Sequence, residues 1–166
     1  MKQIIKRIPG LLILMLVFTA CGFQMRGSQS INSVSLTSLN LNSSSANDLS
    51  REVRSQLQLA GVEISNGSEI TLNLANETYQ RTILTVSPNT GKVEEYLLTL
   101  TVLMSLDKAG TGDLLRNEMI SVSRDFLYDE DALLGKASEE NLLKETLRRE
   151  AAVRIIRRLN AATRTK

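Results

Sequence analysis

One stretch decides the fold: Glu95-Tyr96-Leu97-Leu98-Thr99-Leu100-Thr101-Val102-Leu103-Met104-Ser105-Leu106-Asp107. Its even-numbered residues are all apolar, whereas most of its odd-numbered residues are polar. Successive side chains of a strand point to opposite faces of the sheet, so this period of two predicts a strand with one buried face. A sheet that is apolar on one face and polar on the other is typical of antiparallel pairing.

Two further strands are predicted on either side of this one. Residues 70–86 begin with the same alternation, and residues 120–128 repeat it. The segments between the three strands, 87–92 and 110–112, contain proline and glycine, which are frequent in turns. We therefore expect the three strands to form two consecutive hairpins.

A strand and a helix precede the hairpins. Apolar residues between Ile31 and Leu41 predict a strand with a bend. Asn47 is of a type favoured as an N-cap, and apolar residues after it recur at helical spacing. Gly61 is placed to end this helix in a left-handed conformation. Residues 62–64 are predicted as a connection.

A second helix closes the chain. Residues 133–136 are predicted to be a linker, Ser138 the N-cap, and Asn160 the approximate end of the helix. Its apolar residues cover a wider arc than packing on one sheet requires. Two explanations stay open: the helix contacts a partner, or the stems of its arginines cover apolar surface.

This order of elements predicts the α+β class. We expect a mostly antiparallel four-stranded sheet with two helices packed on one face, a two-layer sandwich. Residues 31–162 are expected to form this single domain, and residues 163–166 a short tail.

The N-terminus has the three parts of a secretory signal peptide over residues 1–20: a cationic head, an apolar run and small residues. The apolar run is shorter than the about 20 residues that span a bilayer.

Cys21, the single cysteine, follows Phe18-Thr19-Ala20, and this sequence resembles a bacterial lipobox. The resemblance implies cleavage before Cys21 and its modification with fatty acyl chains such as palmitate, which hold a protein on a membrane. Residues 21–30 are the predicted lipidated tether. An uncleaved anchor, or an ordinary signal peptide with an incidental cysteine, agrees less well with the position of this cysteine.

Composition excludes several functional classes. The chain has 20 Lys and Arg residues against 18 Asp and Glu residues, and three of the cations belong to the signal peptide. The mature balance is therefore 17 against 18, a net charge of −1, which predicts no nucleic-acid binding. With no histidine and one cysteine, the chain lacks the ligands of usual zinc sites and the residues of an intramolecular disulfide. No cofactor is expected.

Five short stretches carry a family resemblance. They are Cys21-Gly22-Phe23-Gln24-Met25-Arg26-Gly27, residues 49–63, Glu95-Tyr96, Arg124-Asp125-Phe126 and residues 151–159. In this order they resemble the LPS-assembly lipoproteins of the LptE family over nearly the whole chain. One departure is Met25, where leucine is usual.

The resemblance implies a non-enzymatic lipoprotein of a Gram-negative outer membrane, anchored in the inner leaflet and facing the periplasm. Such a protein plugs the lumen of the β-barrel translocon LptD and helps deliver lipopolysaccharide to the outer leaflet. Gly22 fits this sorting, since aspartate there favours retention at the inner membrane in resembling lipoproteins. The alternative is a stand-alone lipid- or polysaccharide-binding lipoprotein without a barrel partner. A lipid-anchored hydrolase using Asp129-Glu130-Asp131 is disfavoured, because adjacent acids are usually solvated and no Gly-x-Ser-x-Gly turn is present.

Four cations are candidate ligands of lipopolysaccharide phosphates, because ammonium and guanidinium groups form charge-assisted hydrogen bonds with phosphate. Lys136 ranks first, since the matching segment of the resembled family also carries a lysine. Lys92 and Arg81 flank the predicted hairpin loop, and Arg124 lies on an otherwise apolar strand face. The alternatives are that Lys92 and Arg81 are solvated and that Arg124 pairs with a carboxylate, such as one near Asp125 in the sequence or Glu95.

A plug inside a barrel would meet the polar wall of the lumen. The polar face of the central strand, with Thr99, Thr101 and Ser105, would suit such a contact. It would equally suit an ordinary solvent-facing strand.

Overall fold

A computed structural model describes the backbone of residues 34–128 and 133–164 and the side chains of residues 34–128 and 138–164. Its elements are β1 Ser38–Ser44, α1 Asn47–Leu59, β2 Glu63–Ile64, β3 Ile70–Val86, β4 Val93–Lys108, β5 Gly112–Leu127 and α2 Leu133–Arg164. The predicted α+β class is confirmed. The predicted signal peptide, Cys21 with its tether, and Asp129-Glu130-Asp131 lie outside the described residues.

The sheet has five strands in the order β2-β1-β3-β4-β5, rather than the predicted four. Strands β3, β4 and β5 form the two predicted antiparallel hairpins, whereas β1 is parallel to both of its neighbours. The additional strand, β2, has only two residues and was predicted as a connection. It pairs because the amide groups of Glu63 and Ser65 donate to the carbonyl groups of Thr37 and Leu39, both at 3.0 Å.

Both helices pack on the same face of the sheet. Leucines at positions 41, 72, 106 and 115 form one row across β1, β3, β4 and β5, and the first three of them are buried. The even-numbered residues of β4 from Leu98 to Leu106 are buried on this face, as their alternation predicted. The core is one apolar cluster between the sheet and the helices.

A β-bulge changes which residues of β3 face the helices. Ala75 pairs with Leu103 and Thr78 with Thr101, so β3 has one extra residue here. Asn76, at the bulge, has a left-handed φ of 56°. Even-numbered residues face the helices before the bulge, and odd-numbered residues do so from Tyr79 to Ile83, where the register shifts again.

Helix α1 buries Leu49, Val53 and Leu57, as the helical spacing predicted. Gly61, just after it, has the predicted left-handed conformation, with a φ of 82°. The prediction of Asn47 as N-cap is wrong by one position. Asn47 is the first helical residue, and the N-cap is Ala46, which has no side-chain acceptor.

Helix α2 begins at Leu133, five residues before the predicted N-cap at Ser138, and continues to Arg164. Lys136 therefore lies within the first turns of a helix and not in a linker. Gly135 is the one weak helix former between Leu133 and Ser138, and a single glycine costs a helix only about 1 kcal/mol. Most residues before Ser138 favour a helix, so the helix begins upstream of Ser138 although serine is a good N-cap residue.

The wide apolar arc of α2 has packing partners within the chain. The helix contacts β4 and β5 on one side and α1 on another. Its fully buried apolar residues are Leu147, Ala151, Ala152, Ile155, Ile156 and Leu159. Packing against both the sheet and α1 explains the arc without a second protein. Within the part of the chain that the structure describes, neither helix has an apolar segment long enough to cross a bilayer.

Candidate functional site

The candidate site lies at the end of the sheet that carries the β3–β4 turn. We call this region, made of residues 80–86, 93–98 and 124–128, the hairpin end. Every residue of β3 from 80 to 86 is exposed. The exposed residues include large apolar side chains on two strands, Ile83, Leu84, Val86 and Leu127. Such a surface can contact an apolar ligand or partner.

Two of the predicted cations lie in one row across the sheet at the hairpin end. Arg81 of β3 and Arg124 of β5 both pair in register with Leu98 of β4, so the three share the face that packs on the helices. Neighbouring strands are about 5 Å apart, which places the two arginine backbones about 10 Å from each other. Both side chains are about half exposed, at 49% and 51%. We call this pair the arginine row.

Arg81 is held by an aromatic ring and a carboxylate. Its guanidinium carbon lies 4.6 Å from the ring centre of Tyr96, the residue opposite Ile83 on β4. One of its nitrogens lies 3.7 Å from Oε2 of Glu140 on α2. Arg81 is therefore oriented by cation–π and ionic contacts, rather than being an ordinary solvated side chain.

Arg124 forms a closer ion pair with α2. Its Nε donates to Oε1 of Glu150 at 3.1 Å, and a terminal nitrogen donates to the same oxygen. The hydrogen bond and charge of Glu150 raise the pKa of Arg124 further above its usual range. The alternative that Arg124 pairs with a carboxylate is therefore confirmed. Glu95 as its example is wrong, because Glu95 lies on the other face of the sheet and accepts from Thr85 at 2.6 Å.

The other predicted site residues are not part of the row. Lys92 lies in the turn, six residues before Leu98 along the chain and thus about 20 Å away if extended. Its backbone carbonyl accepts from the amide of Ser87 at 2.8 Å. The side chain of Lys136 and all of Cys21 lie outside the described residues.

Aromatic side chains pack against Tyr96, the ring on which Arg81 of the arginine row lies. This packing was not predicted from the sequence. The ring of Tyr96 stacks on Phe126 at 5.8 Å and meets Tyr128 edge-on at 5.1 Å. These pairs hold the ring on which Arg81 lies. The signal in the sequence was the even numbering of all three residues, which places them on one face of two paired strands.

A second polar cluster, also missed, joins the β3 bulge to both helices. Oε2 of Glu77 accepts from the amide of Leu49 at 3.2 Å and so takes the place of the missing N-cap of α1. Its Oε1 accepts from the hydroxyl of Tyr79 at 2.9 Å and from Nε of Arg148 at 3.2 Å. Arg148 also lies 3.2 Å from Asp48. The side chain of Glu77 is only 8% exposed.

Burial and the hydrogen bond to Glu77 raise the pKa of Tyr79 well above its ordinary value, so the phenol stays protonated as a donor. Next to this cluster, a cleft of about 290 Å³ separates the two helices. It is lined by three acidic residues and three arginines: Asp48, Glu52, Glu145, Arg51, Arg148 and Arg149. Because its charges balance, the cleft has no preference for an anionic or a cationic ligand.

The face of the sheet opposite the helices is lined with hydroxyl and amide groups that bond across strands. Thr101 shares a hydrogen bond of 2.6 Å with Thr78, and Thr99 donates to Ser123 at 3.3 Å. Ser105 donates to Asn117 at 3.2 Å. The structure thus places Thr99, Thr101 and Ser105 together on this polar face, as their numbering predicted.

Side chains of α2 also cover the outer edge of β5. Residues 150, 154 and 158 follow one another at helical spacing of four and form a stripe along α2. Glu150 pairs with Arg124, Arg154 donates to the backbone carbonyl of Ser121 at 2.7 Å, and Arg158 donates to Glu118 at 2.6 Å. Among the described residues, no group of three carboxylates is close enough to bind a metal ion.

Comparisons with known proteins agree on one family. The family model described as LptE, lipopolysaccharide-assembly, matches residues 31–159. A curated relative, the LPS-assembly lipoprotein LptE of Pectobacterium atrosepticum, is 27% identical over 148 residues, which are 87% of this chain and 79% of the relative.

Solved structures have the same fold. The crystal structure of the rare lipoprotein B from Shewanella oneidensis is 32% identical, with a TM-score of 0.68 over 77% of this chain and 96% of that chain. The solution structure of a lipoprotein B from Nitrosomonas europaea has a TM-score of 0.70 over 86% of this chain and 92% of that chain. Its 21% identity supports similarity of fold alone.

Proposed function

This chain belongs to the LptE lipopolysaccharide-assembly family, and from that premise we propose that it plugs the lumen of the β-barrel LptD and helps deliver lipopolysaccharide to the outer leaflet. Membership carries a role in lipopolysaccharide assembly at the outer membrane. We further propose that the chain is anchored through Cys21 in the inner leaflet, facing the periplasm, and that it acts non-enzymatically, without a cofactor or a nucleic acid.

The observation that carries a direct role in handling the ligand is the arginine row. Lipopolysaccharide is an amphiphile with phosphates beside acyl chains. The hairpin end presents two half-exposed guanidinium groups, Arg81 and Arg124, on the same face of the sheet as the exposed apolar side chain of Ile83 on β3. Guanidinium groups form strong hydrogen bonds with phosphate oxygens, and apolar side chains suit acyl chains.

The polar face of the sheet supports the plug role. Its threonine and serine side chains form hydrogen bonds with one another, so the face can lie against a polar wall without burying unpaired groups. The interior of an outer-membrane barrel is such a wall. We propose that Thr99, Thr101 and Ser105 lie on the barrel-facing surface.

A pull-down from outer membranes tests the barrel partner. A C-terminally tagged, lipidated chain is purified in mild detergent, and the proteins recovered with it are identified. We expect a large β-barrel at about one copy per copy of this chain. Recovery of the lipoprotein alone, under conditions that preserve other outer-membrane complexes, would favour the stand-alone lipid- or polysaccharide-binding alternative.

A binding experiment tests Lys136, the cation that the sequence analysis ranked first. We expect Lys136→Gln to weaken binding of lipopolysaccharide by about two- to tenfold, the range of one exposed ionic contact or charged hydrogen bond. Lys108→Gln is the matched control, since Lys108 is exposed and pairs with Gly112 at the opposite end of the sheet. Equal affinities of both variants and the wild type at moderate salt would remove Lys136 from the site.

A further inference from the structure

Both guanidinium groups of the arginine row are already paired with carboxylates of one helix. Arg81 lies beside Glu140, and Arg124 donates to Glu150 through two nitrogens. The two glutamates are ten residues apart on α2, about 15 Å along the helix. We propose that Glu140 and Glu150 occupy the positions of the ligand's phosphates in the free protein, so that α2 inhibits the site until lipopolysaccharide displaces them. This inference rests on the proposed function.

The chemistry of the two anions makes them competitors. Carboxylate and phosphate both bind the planar fork of a guanidinium through charge-assisted hydrogen bonds. Arg124 directs Nε and one terminal nitrogen to the same oxygen of Glu150, and these are the donors that a bidentate phosphate would need. A phosphate can therefore take these donors only by replacing the Glu150 carboxylate.

The two contacts differ in how readily they open. Glu140 has a second partner, since Nζ of Lys144 lies 2.8 Å from its Oε1, and its contact with Arg81 is long, at 3.7 Å. Tyr96 keeps the Arg81 guanidinium in place without Glu140. Arg124 donates two nitrogens to Glu150, whereas the neighbouring Asp125 contributes only its charge. We therefore expect Arg81 to be released first, and Glu150 to be the stronger inhibitory contact.

Charge-neutral variants of the glutamates test the inference on the full-length, lipidated chain in non-ionic detergent. Binding of lipopolysaccharide and of inorganic pyrophosphate is measured for wild type, Glu140→Gln and Glu150→Gln. We expect Glu150→Gln to bind both probes about two- to fivefold more tightly, the range of one exposed ion pair, and Glu140→Gln to show a smaller gain. NMR signals of the arginine Nε–H groups report whether Arg124 is the group that shifts.

A matched control comes from the same helix–strand contact. Glu118→Gln removes the ion pair with Arg158, another bond between β5 and α2. Glu118 is six residues from Arg124, about 20 Å along the strand. If the effect comes from release of the arginine row, this variant leaves the affinity for both probes unchanged. An equal gain in Glu118→Gln would attribute the effect to total charge and overturn the inference.

The outcomes separate the inference from the proposed function. If wild type binds lipopolysaccharide and Glu150→Gln binds it equally or more weakly, the inhibitory role is refuted and the proposed function stands. If neither wild type nor Glu150→Gln binds lipopolysaccharide, direct ligand handling is refuted, and the pyrophosphate titration alone decides whether Glu150 masks Arg124. If wild type does bind lipopolysaccharide, tighter pyrophosphate binding by Glu150→Gln without tighter lipopolysaccharide binding means that the row takes free phosphate groups only, which contradicts the inference.

Discussion

Glu77 joins three parts of the fold, and its replacement by alanine should be among the most damaging single changes. Its carboxylate accepts from the first turn of α1 at Leu49, from the hydroxyl of Tyr79 and from Arg148 of α2. The change removes all three acceptor contacts at once. It also leaves α1 without an N-cap, since Ala46 cannot supply one.

The structure sets the size of the expected loss. A hydrogen bond to a charged group contributes about 1.5–3 kcal/mol, and loss of an N-cap costs about 1 kcal/mol. Breaking a buried ion pair by removing one partner costs about 3–5 kcal/mol. Arg148 keeps Asp48 at 3.2 Å and stays partly exposed, which limits the penalty. We therefore expect Glu77→Ala to lower the free energy of unfolding by about 3 kcal/mol.

Urea denaturation followed by circular dichroism measures this loss as a shift of the midpoint at constant slope. Glu77→Gln keeps a carbonyl acceptor for α1 but removes the charge, so it should lose about half as much. Glu69→Ala, at an exposed position just before β3, is the control and should stay within about 0.5 kcal/mol of wild type. A loss below about 1 kcal/mol for Glu77→Ala would refute the view that this carboxylate holds α1 in place.

Two further predictions concern Tyr79 and the core. The raised pKa means that folded protein holds the Tyr79 proton more tightly than the unfolded chain, whose value is about 10. This contribution to stability is complete below about pH 10 and is lost as the pH rises through the higher folded value. Ultraviolet titration should thus show a phenol that ionises only as the protein unfolds, and Tyr79→Phe should abolish that step. In α1, Leu57→Ala should cost about 2–5 kcal/mol because Leu57 is fully buried, whereas Leu59→Ala, at a residue 84% exposed, should change stability by less than about 0.5 kcal/mol. Equal midpoints of these two variants in urea would contradict the packing of α1.

The strands and helices were predictable where one face of an element is buried along its whole length. The alternation of residues 95–107 was sufficient to define β4, because its even-numbered residues from Leu98 to Leu106 are buried in the core. Strand β2 was not predictable, since two residues carry no periodicity. The start of α2 was missed because Ser138 has the chemistry of an N-cap but lies within a helix that begins earlier.

The candidate site depended on tertiary structure that the sequence shows only indirectly. Without the bulge at Asn76, Arg81 would point to the opposite face of the sheet from Arg124. The sequence shows this shift only through its alternation, because the residue that faces the helices is even-numbered at Leu74 and odd-numbered at Tyr79. The carboxylate that pairs with Arg124 lies 26 residues later in the sequence, so no local pattern could have identified it.

The stripe of residues 150, 154 and 158 on α2 has a consequence for how this chain meets other proteins. An uncovered outer strand as long as β5 would offer its backbone to any unpaired strand nearby. Here Arg154 occupies the carbonyl of Ser121 at the middle of that edge. Because Arg154 takes this acceptor, β5 is a poorer template for an added strand at this point. The chain can therefore lie against an exposed strand of another protein without extending that protein's sheet here.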